Sequence, residues 1–118
     1  MWQDEHEARC VEILGQPFPE VHAFMDQFFP RYRNYSHRVI LHHLQGVALV
    51  KKRFGLAAGQ AALLHLKDDF PNGIIPADPQ AYLSDPLFHP WGVGEMMLEK
   101  DLRRMLGIRM SFERYTYL

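Results

Sequence analysis

SHRVILHHLQGVALVKKRF, residues 36–54, is the stretch whose reading decides the fold. Ser36 suits an N-cap and Gly55 a C-terminal stop, so the pattern predicts one helix over 36–54. At about 100° per residue, His37, Ile40, Leu41, Leu44, Val47 and Ala48 share one face. Val39, His43, Val50 and Phe54 share a second, and only Arg38, Gln45 and Lys52 form a clean polar stripe. A helix so apolar around its circumference belongs at the centre of the molecule.

Outward from it, WQDEHEARCVEIL carries acids in its first turn and is followed by Gly15, the signs of a first helix. Pro19 opens a second, EVHAFMDQFF, which the pattern stops before Pro30, leaving RYRN as a short basic linker. LAAGQAALLHLK reads as a further helix, and DDFPNGIIPADP, with three prolines and a glycine, as a loop. DPQAYL gives one or two helical turns, SDPLFHPWGVG is irregular, and EMMLEKDLRRML is an amphipathic helix ended by Gly107. IRMSF alternates as a short strand does and continues into ERYTYL. The expectation is a mainly α, compact bundle of five to six helices with a short C-terminal β-strand. Residues 1–118 form a single domain, with 1–76 as its motif-bearing core and 77–118 packing on that core or on a partner.

The chain has 118 residues, 47% hydrophobic and 23% charged, which suits one folded domain and excludes overall disorder. A net charge of -1 supplies no nucleic-acid footprint. Cys10 is the only cysteine, so no internal disulfide can form, and the acidic start MWQDEHEARC lacks the basic and apolar regions of a signal peptide. A cytoplasmic location is expected. Apolar runs fall far short of the roughly 18–20 residues of a membrane span. Phosphate loops, nucleophile elbows, dinucleotide fingerprints and zinc-finger cysteine pairs are missing from the sequence.

Seven histidines carry the chemistry. Imidazole is the commonest protein metal ligand and titrates near neutrality. His22 with Asp26 and His65 with Asp69 are both His-x-x-x-Asp pairs, spaced so that the two side chains meet on one helical surface. The aspartate can share an ion with the imidazole or orient it, or the two can form an ion-free hydrogen-bonded pair. His37 and His43 lie on apolar faces, where a buried imidazole needs a partner. His42, beside the polar stripe, suits a surface position, and Cys10, four residues after His6, suits a buried thiol.

VILHHLQGVALVKKRFGLAAGQAALLHLKDD resembles the motif-bearing helices of HD-domain phosphohydrolases, in which a histidine and a His-Asp pair hold divalent metal that activates water against a phosphate ester. His43, followed by Val47, matches the first histidine and His65 the second; Leu66 stands where the metal-binding aspartate belongs. GIIP at 73–76 is similar to a G-D-I-P loop, with Ile74 in place of the acid, and Asp101 is the candidate for the family's distant aspartate. A closer resemblance in length and motif is to a family of small proteins of bacteria and phages with no assigned activity. It rests on HRxxxHHxxG at 37–46, Phe54-Gly55, HxxxD and the following Ile-Pro, with His6 and Asp26 as further matches. It implies that His37, Arg38, His42, His43, His65 and Asp69 belong together.

These readings converge on a metal set of His37, His43, His65, Asp69 and Asp26, for Zn, Mn or Fe. Asp69 and Arg38 are the candidate catalytic residues, Arg38 offering a planar donor set to a phosphate-containing substrate. The competing expectation is an inert interaction protein whose histidines are structural, and Leu66 leans that way. Phe88, Trp91, Met96 and Met97 are candidate interface anchors, and an unpaired C-terminal strand would favour a homodimer or a protein partner.

Overall fold

The structure, a computed structural model, describes residues 1–32, 37–70, 72–83 and 95–109. The described chain is mainly α, as the periodicity predicts. Its helices are α1 (Gln3–Leu14), α2 (Pro19–Met25), α3 (Phe29–Tyr32), α4 (Arg38–Leu41), α5 (Leu44–Phe54), α6 (Leu56–Asp69), α7 (Pro79–Leu83) and α8 (Glu95–Leu106). The count exceeds five to six because α3, α4 and α7 are single turns of four or five residues. Ile108 and Arg109 have no regular structure, and the rest of the expected strand, 110–118, lies outside the described residues. None of the described helices is long and apolar enough to cross a membrane.

Helix boundaries depart from the sequence reading at three places, and each departure shapes the site. α2 ends at Met25, with Asp26 at its C-cap, and the separate turn α3 runs through Pro30. Pro30 is tolerated because it falls in the first turn, where its missing N–H is not needed. α6 continues through Asp68 and Asp69, so His65 and Asp69 stay one turn apart on the same surface.

The third departure is the largest. The helix expected over 36–54 is two helices, broken at His42 and His43. His43 is extended (φ -159°, ψ 175°) and caps α5: the Gly46 N–H donates to its Nδ1 at 3.0 Å. Its Nε2–H donates back to the Val39 and Ile40 carbonyls at 3.0 and 2.9 Å. The freed N–H groups of Leu44 and Gln45 donate to the carbonyls of Pro76 and Ala77 at 2.9 and 3.1 Å, so the loop after α6 supplies what an unbroken helix would have supplied internally. Gly46 permits the break: a Cβ there would stand 1.9 Å from the Leu41 carbonyl oxygen. The hydroxyl of Tyr82 in α7 donates to the His42 carbonyl and fixes the bend from the other side.

α5 and α6 form an antiparallel hairpin through Gly55, whose positive φ of 105° suits a residue without Cβ. α6 packs along α5 and also against α1 and α2. The core contains Cys10, Val21, Met25, Ile40, Leu41, Ala61, Ala62 and Leu66. Asp101 of α8 accepts from Arg31 Nη1 at 2.7 Å, Tyr32 Oη at 2.5 Å and Arg104 Nη2 at 3.2 Å, which pins α8 to α3.

Gly46→Ala should destabilise by about 3 kcal/mol or more, because the clash is with backbone and not with a side chain that can move. His43→Ala should cost at least the roughly 1–2 kcal/mol of a lost N-cap. Urea denaturation of both variants measures this; Gly46→Ala as stable as the parent would refute the close approach.

Candidate metal centre

Every histidine among the described residues, His6, His22, His37, His42, His43 and His65, is buried. Interior imidazoles need partners, so where their nitrogens point is an accounting question. For His43 the account closes on the backbone, since Nδ1 and Nε2 are both committed at the bend. Burial lowers its pKa to about 4 despite the Ile40 and Val39 carbonyls, so it is neutral near pH 7. His43, expected as a metal ligand, spends its lone pair on the cap of α5 and lies outside the convergent donors among the described residues. His37, expected as another ligand, likewise lies outside both groups of convergent donors among the described residues. Its ring stands edge-on to those of Phe29 and His42, at 5.2 and 5.1 Å, and forms a wall beside the site.

Four side chains do converge: Asp26, His42, His65 and Asp69. The break after α4 swings His42 inward, the C-cap of α2 presents Asp26, and the last turn of α6 presents His65 and Asp69. His42 Nε2 lies 3.2 Å from Asp26 Oδ1 and 3.3 Å from Asp69 Oδ2; His65 Nε2 lies 3.5 and 3.2 Å from the same two oxygens. Both Nε2 atoms are buried without an aligned hydrogen-bond partner. A tetrahedron with vertices about 2.0–2.1 Å from its centre, the zinc–ligand length, has edges of about 3.3–3.4 Å. Donors this far apart and not aimed at one another are placed as ligands of a common ion are placed. Asp26 is the solvent side of the set, its side chain 29% exposed against 5% for Asp69.

A chain of hydrogen bonds assigns the protons behind this set. The Pro17 carbonyl can only accept, so His22 Nε2, 3.0 Å away, carries a hydrogen. Burial, with His65 and His6 nearby, lowers the His22 pKa to about 4, leaving its Nδ1 an acceptor. His65 Nδ1 lies 2.9 Å from it and must donate. Neutral His65 then turns the lone pair of Nε2 toward Asp26 and Asp69. An imidazole whose far nitrogen is anchored in this way is oriented as metal-ligating histidines are.

The electrostatics ask for a cation. Burial alone would raise the Asp26 carboxyl, but the imidazoles of His42 and His65 outweigh it and hold the group well below the usual range. Asp69 behaves likewise beside His42, His6 and His65. For His65 burial opposes the charge, yet the two carboxylates prevail and raise its pKa. The two carboxylates thus favour a positive charge at His65 Nε2, which a proton or a metal ion could supply.

The other expected site residues are not among the four convergent donors. Arg38 is half-buried with its guanidinium 5.4 Å from the Phe70 ring centroid, on the residue next to Asp69. Leu66 is wholly buried in the apolar core, and Asp101 belongs to the α3–α8 clamp. Phe88 and Trp91 lie outside the described residues, as does the Met96 side chain; Met97 is partly exposed on α8. The sequence reading gave His42 a surface position and left it, with His6 and His22, out of the metal set, although the resemblance grouped His42 with the site and named His6, and the spacing paired His22 with Asp26. For His42 the local signal was HisHis followed by Gly46, a capping spacing across a helix break.

With chelator present, stability should depend on pH in both directions. Depressed His22 and His43 contribute stability that is present above pH about 6.5 and lost as pH falls toward 4. The depressed carboxyls of Asp26 and Asp69 add a loss at still lower pH, below their ordinary value of about 3.9. Raised His65 contributes stability that is present below about 6.5 and lost as pH rises through its folded value. Urea midpoints should therefore peak near neutrality, and His65→Gln should abolish the alkaline decline; a decline that persists would contradict the assignment. Comparison with family models, curated proteins and solved structures returned no match to this chain.

Proposed function

We propose that this protein binds a zinc-class divalent ion through Asp26, His42, His65 and Asp69. The carrying observation is the set of four distances of 3.2–3.5 Å from the buried Nε2 atoms of His42 and His65 to the half-buried carboxylates, with neither Nε2 aligned as a hydrogen-bond donor. Two nitrogens and two carboxylate oxygens suit Zn, Fe or Mn, and the four edge lengths match the donor spacing of a tetrahedral zinc site.

In the hydrolytic use of such a centre, a bound ion acts as a Lewis acid and lowers the pKa of coordinated water. The chain's own contributions are then specific. His42, His65 and Asp69 form the interior of the set, and Asp26, at the solvent side, is the ligand nearest to any entering water or substrate. Arg38, held against Phe70, supplies a guanidinium for the oxygens of a phosphate-containing substrate. The resemblance of the two histidine helices to HD-domain phosphohydrolases supports the same reaction class. The second reading, a structural centre in an interaction protein, is favoured by one observation: four protein donors close the coordination sphere, as in structural zinc sites.

Tag-free protein should retain metal through desalting, and His65→Ala or Asp69→Asn should lose it. An ion at 100 times its Kd adds about 2.7 kcal/mol, so chelation should lower Tm by roughly 10 °C. His22→Leu should weaken metal binding roughly 10–100-fold, and His22→Asn, which keeps an acceptor facing His65 Nδ1, should recover most of it. Metal-dependent cleavage of p-nitrophenyl phosphate, lost in Asp26→Asn and Arg38→Met, supports the hydrolase; metal retention without turnover supports the structural centre. A Tm indifferent to chelation, with no metal retained, would refute both.

A further inference from the structure

The four-donor set uses one oxygen of Asp69 and leaves the other, Oδ1, facing His6. The His6 side chain is fully buried, and neither of its ring nitrogens has an aligned hydrogen-bond partner. Nε2 lies 3.3 Å from Asp69 Oδ1, close enough to interact and not aimed as a donor. That is the relation the four edges of the first set show. His6 does not belong to that set, whose donors all lie within 4.8 Å of one another without it.

His6, His22 and His65 also approach within 4.8 Å, but they cannot hold an ion as a trio. Imidazole binds metal in the plane of its ring. The three planes lie within 14–20° of parallel, and His6 is stacked 3.6 Å above His65, so their lone pairs run side by side and do not converge. His22 Nδ1 and His65 Nδ1 are in addition spent on each other.

The stack has a different use. Two parallel imidazoles 3.6 Å apart each direct Nε2 toward one oxygen of the same carboxylate, His65 toward Oδ2 and His6 toward Oδ1. Paired ions in two-metal sites stand about 3.5–4 Å apart, close to the spacing of these rings. The geometry points to a second divalent-cation position at His6 Nε2 and Asp69 Oδ1, with Asp69 bridging two ions. This rests on the metal reading of the first set and deepens it. The first position has four protein donors, whereas the second has two from the described residues, and the Met1 ammonium, 3.6 Å from the same Asp69 Oδ1, would yield its place to the ion. The remaining places at the second position are left to water or to the oxygens of a phosphate-type ligand, which gives hydrolytic chemistry an open ion beside a fully ligated one.

The test uses the full chain, stripped of metal and reloaded with Mn(II), with bound ions counted after desalting and the electron paramagnetic resonance spectrum recorded. About two ions per chain with an exchange-coupled signal is the expected result, as for paired ions at this spacing. His6→Leu should reduce the count to about one and replace the coupled signal with that of an isolated ion, and His65→Ala should lose both. If His6→Leu fails to fold by circular dichroism, His6→Gln is the substitute, and the parent spectrum decides independently. One ion per chain, or two without coupling, overturns the second position and leaves the first standing. No bound ion overturns both.

Discussion

The bend at His42 and His43 is the constraint on which the rest depends. Neighbouring residues on an unbroken helix point about 100° apart, and two adjacent imidazoles there would serve two unrelated surfaces. Breaking the helix gives them coordinated tasks. His43 becomes the N-cap of α5 and spends both nitrogens on backbone, while His42 is turned toward the end of α6. The bend is held by three separate contributions: the missing side chain at Gly46, the Pro76 and Ala77 carbonyls that take over the freed N–H groups, and the Tyr82 hydroxyl.

Behind the bend lies an electrostatic imbalance that organises the interior. Two carboxylates, both held ionised, face the Nε2 atoms of His42 and His65 in a space largely closed to water. Burying such charges is costly unless a cation compensates them. The relay from the Pro17 carbonyl through His22 fixes a hydrogen on His65 Nδ1 and turns Nε2 toward the carboxylates, where a proton or a metal ion could be held. A proton meets that need weakly and a divalent ion meets it fully.

The position of the acid on α6 matters for chemistry. Leu66, directly after His65, faces the apolar core, where a carboxylate would be buried without a partner. Asp69, one turn later, lies on the His65 surface and has an oxygen on each side of it: Oδ2 among the four convergent donors and Oδ1 beside His6. A single carboxylate thereby joins α1, α4 and α6, and through Asp26 the end of α2 reaches the same point.

The amino-acid sequence by itself determined the helical class, the approximate extents of α1 and α8, the end of α5 and start of α6 at Gly55, and the His65–Asp69 pair, because caps, periodicity and i,i+4 spacing are local. It also marked Asp26 and the histidine-rich stretch as chemically loaded. Which of His37, His42 and His43 faces the others was beyond it, since that depends on where the backbone turns. The turn is set by contacts across more than thirty residues, from Leu44 to Pro76 and from His42 to Tyr82. For the same reason His6 and His22 read only through local partners, Cys10 and Asp26, one turn along their own helices. Stacking against His65 and the hydrogen bond between the two Nδ1 atoms arise when α1 and α2 pack on α6. Convergence of donors is a property of packing, and only the tertiary structure decided it.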